Sequence, residues 1–478
     1  MEMSYLESVL MMRQEILLLG VTILLLLYDL CASERAKKPF DTIAVSLMSA
    51  VTVIGFVPMV AGEAFGGMYV NNSMSQMVKG VLNIGAVLVF LQSRTWLNDT
   101  RVIGKRSEAY LIIMFTLLGM YLMASAGHFL VFYLGLELAS LPLAVLIAYN
   151  KWSSEGMEAG AKFVLVAAFS SGMMLMGISY FYGMAGMEGL YFDNLHVYMT
   201  AEPLQLMALV FFLSGVAFKI SIVPFHLWTA DVYQGAPTNV SAYLSVVSKG
   251  AAVFALMFLS WKLFAQTDLW PYFQYILAAL IVLTITIGNL FAMRQTNMKR
   301  FLAFSSISQA GYILLGMIGG TPMAMTSVVY YLLIYMVSNI GLFGVVSVLE
   351  NASGKVKISD YDGLYKTNPY LSVIMMLFLF SLGGIPPFAG FFSKFFVFMS
   401  AAADGWYVLD FIALINTVIS LYYYLLVVKA MFIKENDTPL APVATDGSSK
   451  VGLFICLVGT LLLGLVSCGY NYIETLAF

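Results

Sequence analysis

Five ionisable residues lie inside long apolar runs, where a charge is expensive: Lys162, Lys219, Lys249, Lys394 and Glu137. At about 3 kcal/mol for each charge held near the middle of a bilayer helix, the set costs on the order of 15 kcal/mol. Groups kept at that expense normally face a bundle interior or a wet cavity and mark routes for ions or substrates. One carboxylate cannot neutralise four ammonium groups, and an uncompensated buried charge is costly, so some of these lysines must spend part of the time uncharged. Side chains that exchange protons in a hydrated interior are proton carriers, a chemistry that suits protons better than bulky solutes. Two alternatives stay open at this point. Lys162 lies only a few residues inside its run, where snorkelling to the headgroups explains it equally well. Glu137 and one lysine also fit a purely structural pair.

Such residues need elements that cross a membrane. Of 478 residues, 61% are hydrophobic and 10% are charged, against about 25% charged in a soluble domain. A net charge of −2 leaves no basic patch for nucleic acid. Runs long enough to span, about 20 apolar residues each, fall near 14–30, 41–61, 77–93, 108–126, 128–149, 160–182, 203–228, 239–262, 271–293, 300–320, 323–349, 368–403, 407–428 and 451–472. They predict an all-α polytopic membrane protein of about 14 transmembrane helices, the first run being a retained helix rather than a cleaved leader. The runs are continuous rather than alternating, which argues against a β-barrel. The loops are too short to form a further domain. The expected organisation is a single membrane domain over 1–478, with N-terminal helices over 1–107, five-helix units over 108–262 and 271–434, and a last helix over 450–478.

Lysine and arginine set the expected orientation. Seventeen of the 24 lie in the connections after spans 1, 3, 5, 9, 11 and 13, from Arg35 to Lys450, whereas Arg13, Lys79 and Lys262 are assigned to the other side. Both termini are therefore expected on the outer side. Two spans carry helix breakers close to a lysine: Pro224 in the seventh, and Pro386 and Pro387 in the twelfth. A proline frees the carbonyl four residues earlier, so the acceptors of Ile220, Leu382 and Gly383 need other partners. Exposed backbone at that depth is tolerated where protein or a water-filled cavity satisfies it. Interrupted helices of opposite direction in two halves are the usual pointer to inverted repeats, here two five-helix units each with one broken helix.

The stretch Pro224-Phe225-His226-Leu227-Trp228-Thr229-Ala230-Asp231-Val232-Tyr233-Gln234-Gly235-Ala236-Pro237-Thr238 resembles the signature of the subunit N family of respiratory complex I. Relatives of that family include mitochondrial subunit 2, the other antiporter-like subunits and the multisubunit sodium/proton antiporters. Gly384-Ile385-Pro386-Pro387-Phe388-Ala389-Gly390-Phe391-Phe392-Ser393-Lys394 and the surroundings of Glu137, Lys219 and Lys249 extend the likeness over the whole chain. The family usually has proline where this chain has Ala230. Lysine at 394 is similar to subunits N and L, whereas subunit M has glutamate.

The resemblance implies a proton-translocating membrane-arm subunit of NADH-quinone oxidoreductase, in which Glu137 and Lys219 form a coupling pair, Lys249 is the central relay and Lys394 ends the path toward the outer side. Lys162 is expected to feed protons from the cytoplasm. His226 either joins a water chain or bonds a freed carbonyl, while His128 and His196 read as surface histidines. The same likeness implies no cofactor in this chain. NADH, FMN, iron–sulfur clusters and quinone are expected in partner subunits, and the partners are antiporter-like subunit M, small subunits such as K, J and A, and the lipid bilayer. The localisation it implies is a bacterial inner membrane. The residues independently show no CxxC, HExxH, P-loop or GxGxxG pattern, hence no sign of a metal, cluster or nucleotide site. The rival readings are a subunit of a cation/proton antiporter or membrane hydrogenase, a stand-alone solute transporter, and a scaffold without transport.

Overall fold

The computed structural model describes residues 5–33, 37–265, 267–436, 439–466 and 468–476; Arg35, counted above among the orienting cations, lies outside them. Helix occupies each of the fourteen expected spans. Among the described residues, eleven helical segments are long and apolar enough to cross a membrane, and Phe40–Gly55, Pro369–Gly383 and Ala389–Ala403 are shorter apolar helices. The fold thus agrees with the all-α polytopic expectation, apart from a two-stranded antiparallel hairpin, Gly62–Ala64 with Tyr69–Asn71.

Local chemistry explains where the helices start. Proline occupies the first turn of Pro203–Ile220, Trp270–Ala292, Pro322–Ser353 and Pro369–Gly383, where its missing N–H costs nothing. Asn72, Ser153, Thr321 and Asp446 accept from backbone N–H groups of the turns they open, which satisfies donors no intrahelical carbonyl can reach. Spans 8 (Thr238–Leu263) and 11 (Pro322–Ser353) are 94% buried and form the axis of the bundle, whereas spans 6 (Ser154–Ala185) and 13 (Tyr407–Phe432) are 33% buried and turn large apolar side chains outward. Helices apolar all round pack by close approach of backbones rather than by an amphipathic stripe. Gly119 of span 4 and Gly135 of span 5 show this: a Cβ on Gly119 would meet Ala139 N at 2.5 Å, and one on Gly135 would meet Met123 N at 2.6 Å.

The interruptions are more numerous than the prolines suggest. Span 7 stops at Ile220 and resumes as Leu227–Gly235, and span 12 stops at Gly383 and resumes at Ala389. Both first halves end with a left-handed residue, Ser221 (φ 67°) and Gly384 (φ 82°). In both, the next N–H reaches back five residues, Ile222 to Ala217 O at 2.9 Å and Ile385 to Phe380 O at 3.0 Å, the Schellman way of ending a helix. Span 5 is also divided, into Phe129–Leu138 and Leu141–Ile147. Span 8 contains a π-helical turn, Leu244–Ser248, directly before Lys249.

Two placements correct the sequence reading. Lys79 does not lie in an outer connection but is 1% exposed within span 3 (Ser73–Leu97), bonded to Glu15 of span 1 (Arg13–Cys31) at 2.6 Å and to the Tyr69 hydroxyl at 3.0 Å. Its stem extends the apolar run by a turn, and the carboxylate that makes this possible lies 64 residues away in sequence. His128 is not a surface histidine: it is 2% exposed, caps Phe129–Leu138 through its Nδ1 and packs edge-on against Tyr191. Removing one partner of a buried pair leaves an uncompensated charge and costs about 3–5 kcal/mol, while replacing both by apolar residues is close to neutral. Lys79→Met is therefore expected to lower the thermal stability of the assembled protein markedly, and adding Glu15→Leu to restore most of it, as read from unfolding midpoints of the two variants.

Candidate functional site

The three deep lysines are all held by oxygen atoms that carry no formal charge. Lys219 (3% exposed), Lys249 (4%) and Lys394 (4%) have no carboxylate within the 4.0 Å that defines an ion pair among the described residues. Lys219 Nζ donates to the Ala139 carbonyl at 2.9 Å and to Ser140 Oγ at 2.7 Å. Lys249 Nζ donates to Ser306 Oγ at 2.9 Å and lies 5.4 Å from the Tyr233 ring centroid. Lys394 Nζ donates to the Leu382 carbonyl at 3.0 Å and lies 4.8 Å from the Tyr312 ring centroid.

Interrupted helices supply three of those four acceptors. The division of span 5 leaves the Ala139 carbonyl and the Ser140 hydroxyl facing span 7. The prolines of span 12 free the Leu382 carbonyl, which receives both Lys394 and, at 3.2 Å, Gln309 Nε2. In span 7 the freed backbone is met differently: Trp228 Nε1 donates to Phe218 O at 3.2 Å, and Val223 N donates to Thr284 Oγ1 at 3.1 Å. His226, 8% exposed, leaves its Nδ1 without a hydrogen-bond partner among the described residues.

Glu137 and Lys219 come to the same region without a direct ion pair. Glu137 is half-buried at the end of Phe129–Leu138 and accepts from Ser171 Oγ, which itself lies 3.0 Å from the Tyr133 hydroxyl. The kink at Ala139–Ser140 separates their directions: the two kink residues bond Lys219, while Glu137 turns toward span 6.

Span 10 (Met298–Leu315) joins the other two lysines. Ser306, the partner of Lys249, lies one turn before Gln309, which shares the Leu382 carbonyl with Lys394. Gln309 also accepts from Tyr331 and donates to Tyr424 at 3.2 Å. Beside this link Asn339 donates to Ser245 Oγ at 2.9 Å and to the Tyr335 hydroxyl at 3.1 Å. A cavity of about 10 Å³, lined by Gln309, Tyr331, Tyr335, Ser338, Ser381 and Lys394 among others, has space for roughly one water centre.

Lys162 stands apart, at one end of the bundle. Its ammonium pairs with Glu158 and with Asp231 at 2.7 Å each, and Asp231 also pairs with Arg300 at 2.6 Å. These groups border an open cavity of about 220 Å³ with Glu155, Gln234 and Gly235. Asp231 was not singled out by its sequence, because the broken span was expected to end near 228; the half-helix Leu227–Gly235 carries it. Register could have found it: Asp231 follows Pro224 by seven residues, as Lys394 follows Pro387. Two breaks of one design thus present an anion and a cation at the same position. Ser306, Gln309 and Tyr331 had no sequence signal, since serine, glutamine and tyrosine are ordinary in a membrane helix.

The comparisons with known proteins agree over the length of the chain. The family model described as "NADH:quinone oxidoreductase/Mrp antiporter, TM" matches residues 126–420. NADH-quinone oxidoreductase subunit N of Phocaeicola vulgatus is 52% identical over 472 residues, 98% of this chain and 99% of that protein. Subunit N of Azobacteroides pseudotrichonymphae is 48% identical, over 99% of this chain and 98% of that one. Among solved structures, a chain of respiratory complex I from Thermus thermophilus matches with a TM-score of 0.78 and 29% identity, over 95% of this chain and 97% of that one. A chain of the Mrp complex from Dietzia matches in fold, with a TM-score of 0.83 at 20% identity over 99% of this chain and 97% of its own.

Ser306 is the one hydrogen-bond acceptor of Lys249 among the described residues. A hydrogen bond to a charged group contributes about 1.5–3 kcal/mol, so Ser306→Ala is expected to slow proton-coupled turnover by roughly ten- to a hundredfold, with Ser306→Thr retaining it. Proton uptake and release by the reconstituted variants would decide this.

Proposed function

Because the chain belongs to the NADH:quinone oxidoreductase/Mrp antiporter family of membrane proteins, we propose that its buried lysines carry protons across the bilayer for a quinone-reducing complex. The chain is an antiporter-like, multi-pass membrane-arm subunit of the NADH-quinone oxidoreductase type, and the redox chemistry belongs elsewhere in the assembly. The observation that carries the proton reading is the set of three buried ammonium positions bonded only to neutral oxygens. A structural ion pair would bring a carboxylate, as Glu15 is brought to Lys79. A site without one holds its ammonium by hydrogen bonds alone, so no opposite charge ties the proton to it.

In this reading Lys162, Asp231 and Arg300 form the cytoplasmic mouth, Lys249 is the central relay and Lys394 the next carrier, with Ser306 and Gln309 between them. Glu137 and Lys219 act as the coupling element. The break at Ala139–Ser140 lets the Lys219 ammonium move between neutral oxygens and the neighbourhood of Glu137, and each position presents a different field to Lys249. A charge displaced by a few ångströms inside a low-dielectric bundle changes its neighbours' proton affinity by kilocalories. His226 lies at the break of span 7 and lends a hydrogen-bonding group to that water path. The five-helix units over 108–262 and 271–434 are the two repeats, each built round one broken helix.

The partners are antiporter-like subunit M and small membrane subunits such as K, J and A. NADH, FMN, iron–sulfur clusters and quinone are bound by other subunits. The cation-rich connections face the cytoplasm of a bacterial cell, and both termini, whose last residues lie outside the described ones, face the outer side. Identity of about half over nearly the full length of curated subunit N sequences favours this over the cation/proton antiporter reading, for which the shared family and the fold speak. The stand-alone solute transporter is disfavoured by the size of the cavity beside Lys394, space for about one water.

Lys249→Ala, assayed in the assembled complex in proteoliposomes, should reduce the protons translocated per electron while leaving assembly intact. Glu137→Gln should have the same direction of effect. An unchanged proton-to-electron ratio in both would remove the relay and coupling assignments. Asp231→Asn breaks a bridge between two partly exposed cations, so its effect on stability should be small, about 1 kcal/mol or less, while proton uptake slows.

A further inference from the structure

Span 13 (Tyr407–Phe432) carries a polar line that the path described so far does not use. Asp410, Thr417, Ser420 and Tyr424, with Ala413 between the first two, recur every three or four residues and so share one face of the helix. That face lies against span 10: Tyr424 reaches Ser305 and Gln309, Thr417 Oγ1 donates to the Tyr312 hydroxyl at 3.2 Å, and Tyr312 donates to the Ala413 carbonyl at 3.4 Å. Tyr312 is also the ring beside the Lys394 ammonium. The line therefore starts among the groups that hold Lys394 and runs to the first turn of span 13.

Asp410 closes that line and is anomalous. It is 7% exposed, and neither carboxyl oxygen has a hydrogen-bond partner among the described residues. No lysine, arginine or histidine lies within 4.0 Å of it among the described residues. Burial without a counter-charge opposes the carboxylate by several kcal/mol unless water or a proton relieves it. The other buried carboxylates near span ends have their cations, Glu15 with Lys79 and Asp41 with Arg94 and Arg106; Asp410 has none, and the first hydroxyl of its own line, Thr417, stands two turns away. Its position along the bundle is also telling. Tyr312 is 12 residues beyond Arg300 on span 10, about 18 Å at 1.5 Å per residue, so Asp410 lies at the end opposite the Lys162–Asp231–Arg300 mouth. The exposed turn 404–405 precedes it.

We propose that Asp410 is the proton-release group of this chain, receiving a proton from Lys394 along Tyr312 and Thr417 and passing it to water at the outer surface. The step balances: the Lys394 ammonium becomes an amine as the Asp410 carboxylate becomes a carboxylic acid, and water then takes that proton. The inference rests on the proton reading above and adds an exit from this subunit by itself.

The test uses the whole complex in proteoliposomes. Asp410→Asn, near-isosteric with the native side chain, should assemble and should lower the protons translocated per electron by as much as Lys249→Ala does. A carboxylic C=O band in the turnover infrared difference spectrum of the native complex should be absent from Asp410→Asn and return, shifted, in Asp410→Glu. A merely structural role for Asp410 does not predict that band. Translocation by Asp410→Asn at the native ratio, with Lys249→Ala impaired, overturns the release assignment and leaves the relay standing. If both variants translocate normally, both readings fall. Should Asp410→Asn not assemble, Thr417→Val and the native infrared spectrum decide, and full translocation by Thr417→Val or no carboxylic band overturns the proposal.

Discussion

The structure depends on one constraint: inside the bilayer every polar group must find a partner within the protein or in enclosed water. Unbroken helices meet it at no expense and offer nothing to a side chain. The interruptions of spans 5 and 12 release carbonyls and so create places where an ammonium group is tolerated without a carboxylate. The Leu382 carbonyl holds Lys394 and Gln309 together, and the Ala139 carbonyl with Ser140 holds Lys219. Backbone dipoles are fixed in strength, whereas a carboxylate would lock the proton in place. A neutral cradle is therefore the arrangement that leaves a buried lysine free to exchange its proton.

The contrast within one chain makes the point. Lys79 and Lys249 are comparably buried, yet Lys79 meets Glu15 at 2.6 Å and the Tyr69 hydroxyl, while Lys249 meets one serine hydroxyl and the face of Tyr233. The first has the marks of a pin between spans 1 and 3. The second has the marks of a site whose occupancy by a proton can change. Direct charge pairing is confined, for the groups of the proposed path, to the open cluster of Lys162, Asp231 and Arg300, where water screens it.

Span 10 acts as the connecting element although it carries no charge beyond its first turn. Ser306, Gln309 and Tyr312 succeed one another by single turns and touch, in order, the surroundings of Lys249, of Lys394 and of the polar face of span 13. A helix of 18 residues with a hydroxyl, an amide and a phenol in successive turns is enough to join the three positions of the proposed path. The π-helical turn before Lys249 and the left-handed caps at Ser221 and Gly384 adjust which face each neighbouring helix presents to it.

Composition and run length by themselves determined that the chain is a bundle of membrane helices, because 20 apolar residues have only one favourable place to be. The insertion cost of a charge singled out Lys219, Lys249 and Lys394, and proline chemistry located the breaks of spans 7 and 12, since both effects act within one helix. What each lysine touches was decided by the tertiary structure alone: Ser306 is 57 residues from Lys249 and Ala139 is 80 from Lys219, and no local preference connects them. The same holds for Lys79, which reads as an outer cation until Glu15 is packed against it, and for Asp231 and Asp410, whose significance lies in having or lacking a partner from another span. Periodicity reports the face a residue occupies; only packing says what stands opposite.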